Sequence, residues 1–319
     1  MAKVYVTRKL PQGGLTRLEA EHQVDVNTQD GPLSRTELLR VVGEYDAVIC
    51  LLNDVIDAEI IDAAAGHVKI FANYAVGYDN IDIAAAEAAG IHVSNTPGVL
   101  TEATADIAWA LMLAVARRIV PAHFFTVGGK FKGWHPTDFL GQDFHGATLG
   151  IVGAGRIGQA TGRRAVGFGM NILYYNRSAK PDFEAQCGAQ QVDLETLLRQ
   201  SDFVSLHLPL TPDTNGLLDR RHLELLKPTA ILVNTARGPV LDEAYLAQML
   251  REGRLAGAGL DVYAEEPKIH PKLMGLDNVV LLPHIGSASW HTRLKMASMA
   301  AENVMAVLAG KGPLNPVRV

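Results

Sequence analysis

The segment "LGIVGAGRIGQA", residues 149–160, constrains the fold most, because an apolar strand-like run meets a helix-like run across a glycine turn. Gly153, Gly155 and Gly158 stand in G-x-G-x-x-G spacing. The first glycines permit a tight turn and let a pyrophosphate approach the N–H groups at a helix N-terminus. Such a string alone is weak evidence, but between a strand and a helix it points to a dinucleotide site. The alternative is a glycine turn that binds nothing.

The strand and helix alternation runs on both sides of this loop. Before it come "KVYVTR", "QVDVN", a helical run from Ser34, "DAVICLL", a helix from Asp57, "VKIFAN", a helix from Ile81, and "IHVSN". From Ala147 onward come "ATLGIV", "NILYYN", "DFVSLHLP", "AILVNTA", "AGAGLDV" and "NVVLLP", with helices between them. Short strands rich in Val and Ile, separated by amphipathic segments, predict parallel sheets covered by helices. The second set is the content of a doubly wound domain.

Between the two sets, one helical segment spans Glu102 to Arg118 with small and apolar residues on most of its circumference, which predicts burial on several sides. The stretch "GGKFKGWHPTDFLGQDFHG" after it has little regular period and predicts a surface arm or loop. The tail from Ser287 to about Gly310 predicts a long helix able to fold back onto the first domain. A length of 319 residues suggests two domains.

Hydrophobic residues make up 48% of the chain and charged residues 20%, an ordinary globular balance. The formal charge of -5 favours neither nucleic acid nor an anionic membrane as a partner. The start, "MAKVYVTRKLP", lacks a secretory apolar run, and the richest apolar segment, Ile107 to Val115, is too short to span a bilayer. Cys50, inside "AVICLL", reads as a buried strand residue, so a reducing, cytoplasmic location is expected. The 11 histidines are scattered without H-x-x-x-H or C-x-x-C spacing, and no metal site is expected.

The next strand should end on the residue that reads the adenosine ribose, and in "LYYNRSAK" it ends at Asn176. A carboxylate there would hold the ribose hydroxyls of NAD and repel the 2′-phosphate of NADP. Asn176 removes that repulsion, Arg177 offers a planar fork of donors, Ser178 offers a hydroxyl, and Lys180 adds to the field. NADPH is therefore expected as cofactor, with NADH weaker; the alternative is a solvated loop that tolerates both.

In open parallel sheets, ligands lie beyond the carboxyl ends of the strands. There "AILVNTARG" delivers Arg237, "AGAGLDVYAEEP" delivers Asp261 and Glu266, and "NVVLLPHIGSAS" delivers His284. Hydride transfer to a ketone leaves an alkoxide that needs a proton, and His284 is the side chain best suited to give one. Glu266 is the best candidate to hold the imidazolium, and Arg237 could bind a substrate carboxylate through two parallel hydrogen bonds. Together they specify a small 2-keto acid. Asp261 is the more plausible partner of the nicotinamide carboxamide or ribose. Taken singly, His284 could be a satisfied structural residue, Glu266 a turn or helix cap, and Arg237 part of an ion pair.

"LGIVGAGRIGQA", "LHLPLTPDTNGLL", "LVNTARGPVLDEAYL", "GAGLDVYAEEP" and "LPHIGSAS" resemble successive signatures of the D-isomer-specific 2-hydroxyacid dehydrogenases. The upstream "NYAVGYDNIDIAAAEAAGIHVSNTPG" resembles their substrate-domain motif, so the likeness covers nearly the whole chain. With its arm and "NRS" loop, the chain is most similar to the family's NADPH-dependent glyoxylate/hydroxypyruvate reductases.

The resemblance implies an α/β protein of two domains, with a doubly wound Rossmann-type parallel sheet inserted into a smaller flavodoxin-like substrate domain. Residues 1–99 would form the substrate domain, 100–286 the dinucleotide domain, and 287–319 a C-terminal helix returning to the first, with catalysis in the cleft after closure. It implies Arg237, Glu266 and His284 as the catalytic set and the N–H groups of Val76 and Gly77 as holders of the substrate carboxylate. Cofactor contacts would fall at Arg156, Ile157, Arg177, Ser178, Pro209, Thr214, Thr235 and Asp261. Trp134 matches an aromatic that reaches the partner subunit's active site in related reductases, the alternative being an exposed loop residue, and a homodimer is expected. The departure is Asn176-Arg177, where NAD-using members carry an acid.

Other readings within reach are a dinucleotide-sensing protein like the corepressors that share this fold, and phosphoglycerate dehydrogenase. The chain lacks the long polar tails and basic patch of the first. It also lacks extra basic residues around "LLNDVID" and "NYAVGYDN" for a phosphate-bearing substrate. Formate dehydrogenases would carry Gln where Glu266 stands.

Overall fold

The computed structural model describes residues 1–318. The chain divides into two compact units, Met1–Leu100 together with the chain from Ser287 onward, and Thr101–Gly286.

The first unit begins with β1 (Lys3–Val6), α1 (Thr16–Glu21), β2 (Gln23–Val26), α2 (Arg35–Glu44), β3 (Ala47–Cys50), α3 (Ala58–Ala64), β4 (Ile70–Asn73), α4 (Ile83–Ala88) and β5 (His92–Ser94). Its strands pair parallel in the order β2-β1-β3-β4-β5, the flavodoxin-like arrangement. Every residue of β3 and β4 is buried, as central strands covered on both faces require. α2, α3 and α4 start where capping residues stand. Ser34 and Glu37 close a capping box on α2, and Asp57 and Asp82 accept N–H bonds at the heads of α3 and α4. α1 has no counterpart in the sequence reading, because six residues with one buried side chain, Leu18, show no helical period.

The second unit holds α5 (Thr101–Ala116), α6 (Ile119–Val127), β6 (Thr148–Val152), α7 (Arg156–Gly167), β7 (Asn171–Tyr175), α8 (Pro181–Cys187), β8 (Gln190–Gln191), α9 (Leu194–Gln200), β9 (Phe203–Leu206), α10 (Arg220–Leu223), β10 (Ile231–Asn234), α11 (Glu243–Arg251), β11 (Gly257–Leu260) and β12 (Val279–Leu281). The strands form one parallel sheet in the order β12-β11-β10-β9-β6-β7-β8. The order reverses between β6 and β9, the switch point at which such sheets bind ligands. Gly257 and Gly259 share one face of β11. A Cβ on them would lie 2.4 Å from Val115 and 2.8 Å from Leu111, so their bareness lets α5 lie flush on the sheet.

The long helix expected over residues 102–118 ends at Ala116. Arg118 takes a left-handed conformation with φ 51°, and α6 leaves at a bend of 63°. α6 was not anticipated because none of its side chains is buried within the chain, which removes the periodic signal; its Pro121 falls in the first turn, where proline is tolerated. β8, two residues at the sheet edge, was also missed. The last helix, α12 (Trp290–Leu308), starts at the Ser289 cap and packs on β3, β4 and β5 of the first unit. Gly14 meets it so closely that a Cβ there would lie 2.4 Å from the Ala297 Cβ. No single helix among the described residues is long and apolar enough to cross a membrane.

Candidate active site

The glycine loop between β6 and α7 is built by close approach. Gly153 has φ 98°, and a Cβ on Gly158 would fall 2.1 Å from the Gly153 carbonyl oxygen. Gly155 is the N-cap of α7 and contributes no side-chain hydrogen bond, while the space a Cβ would enter is open. The positive end of α7 is thus left for an anion. Arg156, at its first position, is exposed, and Ile157 is half-buried.

Across the switch point, the His207 N–H donates to Val152 O at 2.8 Å, bringing the loop after β9 against the glycine turn. Thr214 Oγ1 closes that loop by donating to Pro209 O at 2.6 Å and accepting the Thr211 N–H at 2.8 Å. Ser205 Oγ lies 2.9 Å from His207 Nε2, and burial pushes the His207 pKa down to about 3, so the ring is neutral at physiological pH. Its Nδ1, and Thr235 Oγ1 just beyond β10, are buried and have no hydrogen-bond partner among the described residues. Unsatisfied buried polar atoms are costly. Two of them, at the carboxyl ends of β9 and β10 in the sheet whose β6 leads into the uncapped α7, fit a site shaped for a dinucleotide. His207, at the end of "VSLH", escaped the sequence reading.

After β7, the loop is already folded on itself. Asn176 Nδ2 donates to Ser178 O at 2.8 Å, Gln191 Nε2 donates to Asn176 O at 2.8 Å, and Lys180 Nζ donates to Ser178 Oγ at 3.2 Å. Arg177 stands exposed at the tip, with no ion pair among the described residues. The Asn176 amide thus shapes the turn on which Arg177 and Ser178 stand.

The loops after β11 and β12 meet. His284 Nδ1 lies 2.8 Å from Glu266 Oε2, and Glu266 Oε1 accepts the Tyr263 N–H at 3.1 Å. Burial alone would raise the Glu266 pKa, but the hydrogen bond and charge of His284, the Tyr263 N–H and the nearby Arg237 charge outweigh it and hold the carboxyl below its ordinary value. Arg237 Nη1 donates to Ala236 O at 2.8 Å. Gly238 lies on the neighbouring loop, where a Cβ would come within 1.9 Å of the Tyr263 carbonyl carbon. Glu243, buried at the head of α11, accepts the Ala264 N–H at 3.0 Å. Two devices the sequence did not reveal thus hold the Glu266 loop against the Arg237 loop.

Asp261 is buried, with its oxygens accepting the Ile285 and Gly286 N–H groups at 2.7 Å each. Its pKa is raised, burial outweighing those two bonds. The sequence placed Asp261 on the cofactor; within the chain it anchors the segment that follows His284.

In the first unit, Val76 and Gly77 follow β4, and their N–H groups have no partner among the described residues. Trp134 is 82% exposed on the arm after α6. Among the described residues no group of three or more His, Cys, Asp or Glu is placed to hold a metal ion.

Residues 109–286 match the family described as D-isomer specific 2-hydroxyacid dehydrogenase, NAD binding domain. The chain belongs to the D-isomer-specific 2-hydroxyacid dehydrogenases. This dehydrogenase is 51% identical over 315 residues to a glyoxylate reductase of Thermococcus onnurineus, a match covering 98% of this chain and 94% of the relative. A crystal structure of a Thermus thermophilus protein shares 48% identity and a TM-score of 0.93, covering 99% of both chains. An NADPH-dependent glyoxylate/hydroxypyruvate reductase of Sinorhizobium meliloti, solved with NADP and malonate, shares 32% identity and a TM-score of 0.86 over 99% of this dehydrogenase and 96% of that chain.

Proposed function

We propose that this dehydrogenase reduces glyoxylate and hydroxypyruvate to glycolate and D-glycerate with NADPH. The observation that carries the reading is the His284–Glu266 pair at 2.8 Å, within the field of Arg237 at the ends of adjacent strands. The glyoxylate reductase of Thermococcus onnurineus and the NADPH-dependent Sinorhizobium meliloti reductase support the substrate and the cofactor.

Bound reduced nicotinamide supplies a hydride. The protein's own groups do the rest. Arg237 binds the keto acid's carboxylate through its guanidinium fork, which orients the carbonyl. Glu266, ionised, fixes the His284 ring through Nδ1, leaving Nε2 to give a proton to the developing alkoxide. The uncapped head of α7 would take the pyrophosphate, Thr235 Oγ1 and His207 Nδ1 would find partners on the cofactor, and Arg177, Ser178 and Lys180 would take the 2′-phosphate.

A homodimer belongs to the same reading. Ile119, Phe124 and Val127 of α6, with Phe131 and Trp134 of the arm, are exposed, and a second copy would cover them. A monomeric mass in light scattering would overturn this part.

The deciding experiment is steady-state reduction of both keto acids with NADPH and with NADH. A higher kcat/KM with NADPH supports the whole reading. A higher value with NADH overturns the cofactor assignment, and no turnover of either acid overturns the substrates.

A further inference from the structure

The backbone leaving β4 has its carbonyls tied down and its N–H groups open. Ala75 O accepts the Thr96 N–H, Val76 O accepts Asn95 Nδ2, and Gly77 O accepts Asn73 Nδ2, each at 2.8 Å. A trans peptide holds its C=O and N–H antiparallel in one plane. Each tied carbonyl therefore fixes the direction of the N–H that shares its plane, and these are the N–H groups of Val76, Gly77 and Tyr78. None of the three has a partner among the described residues.

The ties are themselves held by the sheet. Asn95 and Thr96 follow β5, which lies beside β4, so consecutive residues of one strand exit grip consecutive peptides of the other. Asn73 is the last residue of β4 and fully buried. Its amide also donates to Asn80 Oδ1 at 3.2 Å, and Asn80 Nδ2 donates to Leu51 O and Asp54 O at 3.0 Å. These bonds lock the amide that grips Gly77, so the loop is ordered before anything binds.

We propose that Asn95 is a positioning residue for the carboxylate anchor, acting through the plane of the 76–77 peptide and never touching the substrate, while Asn73 holds the peptide that follows. This rests on the reading that the Val76 and Gly77 N–H groups hold the carboxylate of a 2-keto acid. Donors fixed in advance lose little freedom when an anion arrives, so their gain appears as affinity. Without the Asn95 amide, the Val76 carbonyl is free to turn, and the Gly77 N–H turns with it. Asn95→Asp is harsher at the same size, because a carboxylate would face the Val76 oxygen.

The test uses full-length wild type, Asn95→Ala and Asn95→Asp, with three readouts: KM and kcat for glyoxylate at saturating NADPH, NADPH affinity, and amide resonances of Val76 and Gly77 titrated with oxamate. For Asn95→Ala the expected result is a KM raised about three- to tenfold, the effect of one hydrogen bond, with kcat within about twofold, NADPH affinity unchanged and the amide response weakened. Asn95→Asp should exceed it in KM. A KM and an amide response equal to wild type overturn the proposal, as does a parallel loss of NADPH affinity and thermal stability, which marks a general structural role. If wild type turns over neither keto acid, yet oxamate moves the two resonances in wild type and not in Asn95→Ala, the positioning role stands and the substrate assignment falls. Turnover without any amide response in wild type overturns the positioning role alone.

Discussion

Asp261 Oδ2 accepts the backbone N–H of Gly286 at 2.7 Å, and Oδ1 takes that of Ile285 at the same distance. The residue before this pair is His284, whose φ of 55° lies in the left-handed region. A non-glycine residue there costs about 1–3 kcal/mol and persists only when its surroundings enforce it. The Asp261 clamp is such a surrounding, and it aims the ring that Glu266 then grips.

Asp261→Asn should therefore loosen His284. An amide offers one acceptor oxygen where two were used, and its NH2 group faces a backbone donor. The expected outcome is a kcat at least about tenfold lower, corresponding to about 1.5–3 kcal/mol for a hydrogen bond to a charged group, with KM for NADPH changed much less. A KM effect without a kcat effect would place Asp261 on the cofactor instead.

Glu266→Gln tests the charge of the pair. With Glu266 held below its ordinary pKa, its contribution to stability is present above the unfolded carboxyl value of about 4.3 and is lost as pH falls through the lower folded value. The wild type should lose Tm on acidification through that window more steeply than the variant. Parallel Tm curves would show that the carboxylate's charge plays no part in holding the fold.

Arg177→Ala tests the exposed tip of the loop after β7. If Arg177 binds a 2′-phosphate, KM for NADPH should rise about ten- to hundredfold, one charge-assisted hydrogen bond at about 1.5–3 kcal/mol, while KM for NADH stays within about twofold. Equal changes for both cofactors would remove the phosphate argument.

What was legible in the sequence was carried by residue type at a strand end. Gly153, Gly155 and Gly158 announced a turn by their spacing, with Gly153 and Gly158 at positions only glycine fits, and Arg237, Glu266 and His284 could be placed together because parallel strands deliver their carboxyl ends to one edge. What was not legible depends on backbone approach. Nothing in "DEAYL" says that Glu243 will meet the Ala264 N–H, and nothing near Asp261 in sequence names Ile285 and Gly286 as its partners. α6 stayed hidden because a helix with no buried face has no period to read. His207 was overlooked because one histidine after an apolar run looks the same whether or not its ring nitrogens are satisfied.

Gly238→Ala should disable the enzyme without changing any side chain that touches substrate. Gly238 follows Arg237 and rests on the peptide joining Tyr263 and Ala264; a methyl group would sit 1.9 Å from the Tyr263 carbon and 2.3 Å from the Ala264 nitrogen. These are backbone atoms; Glu243 already holds that peptide through the Ala264 N–H and Glu266 accepts the Tyr263 N–H of the peptide before it, so relief must come from parting the two loops. Overpacking of this severity costs about 3 kcal/mol or more, roughly a 10 °C fall in Tm for a domain of this size. Arg237 and Glu266 would separate as the loops part, and kcat/KM for glyoxylate should fall by more than the loss of folded protein accounts for, measured at a temperature where circular dichroism shows the variant still folded. Gly155→Ala, whose methyl group would enter open space, is the matched control for stability. A Gly238→Ala enzyme with wild-type Tm and kcat/KM would mean that the two loops are not held in contact in solution.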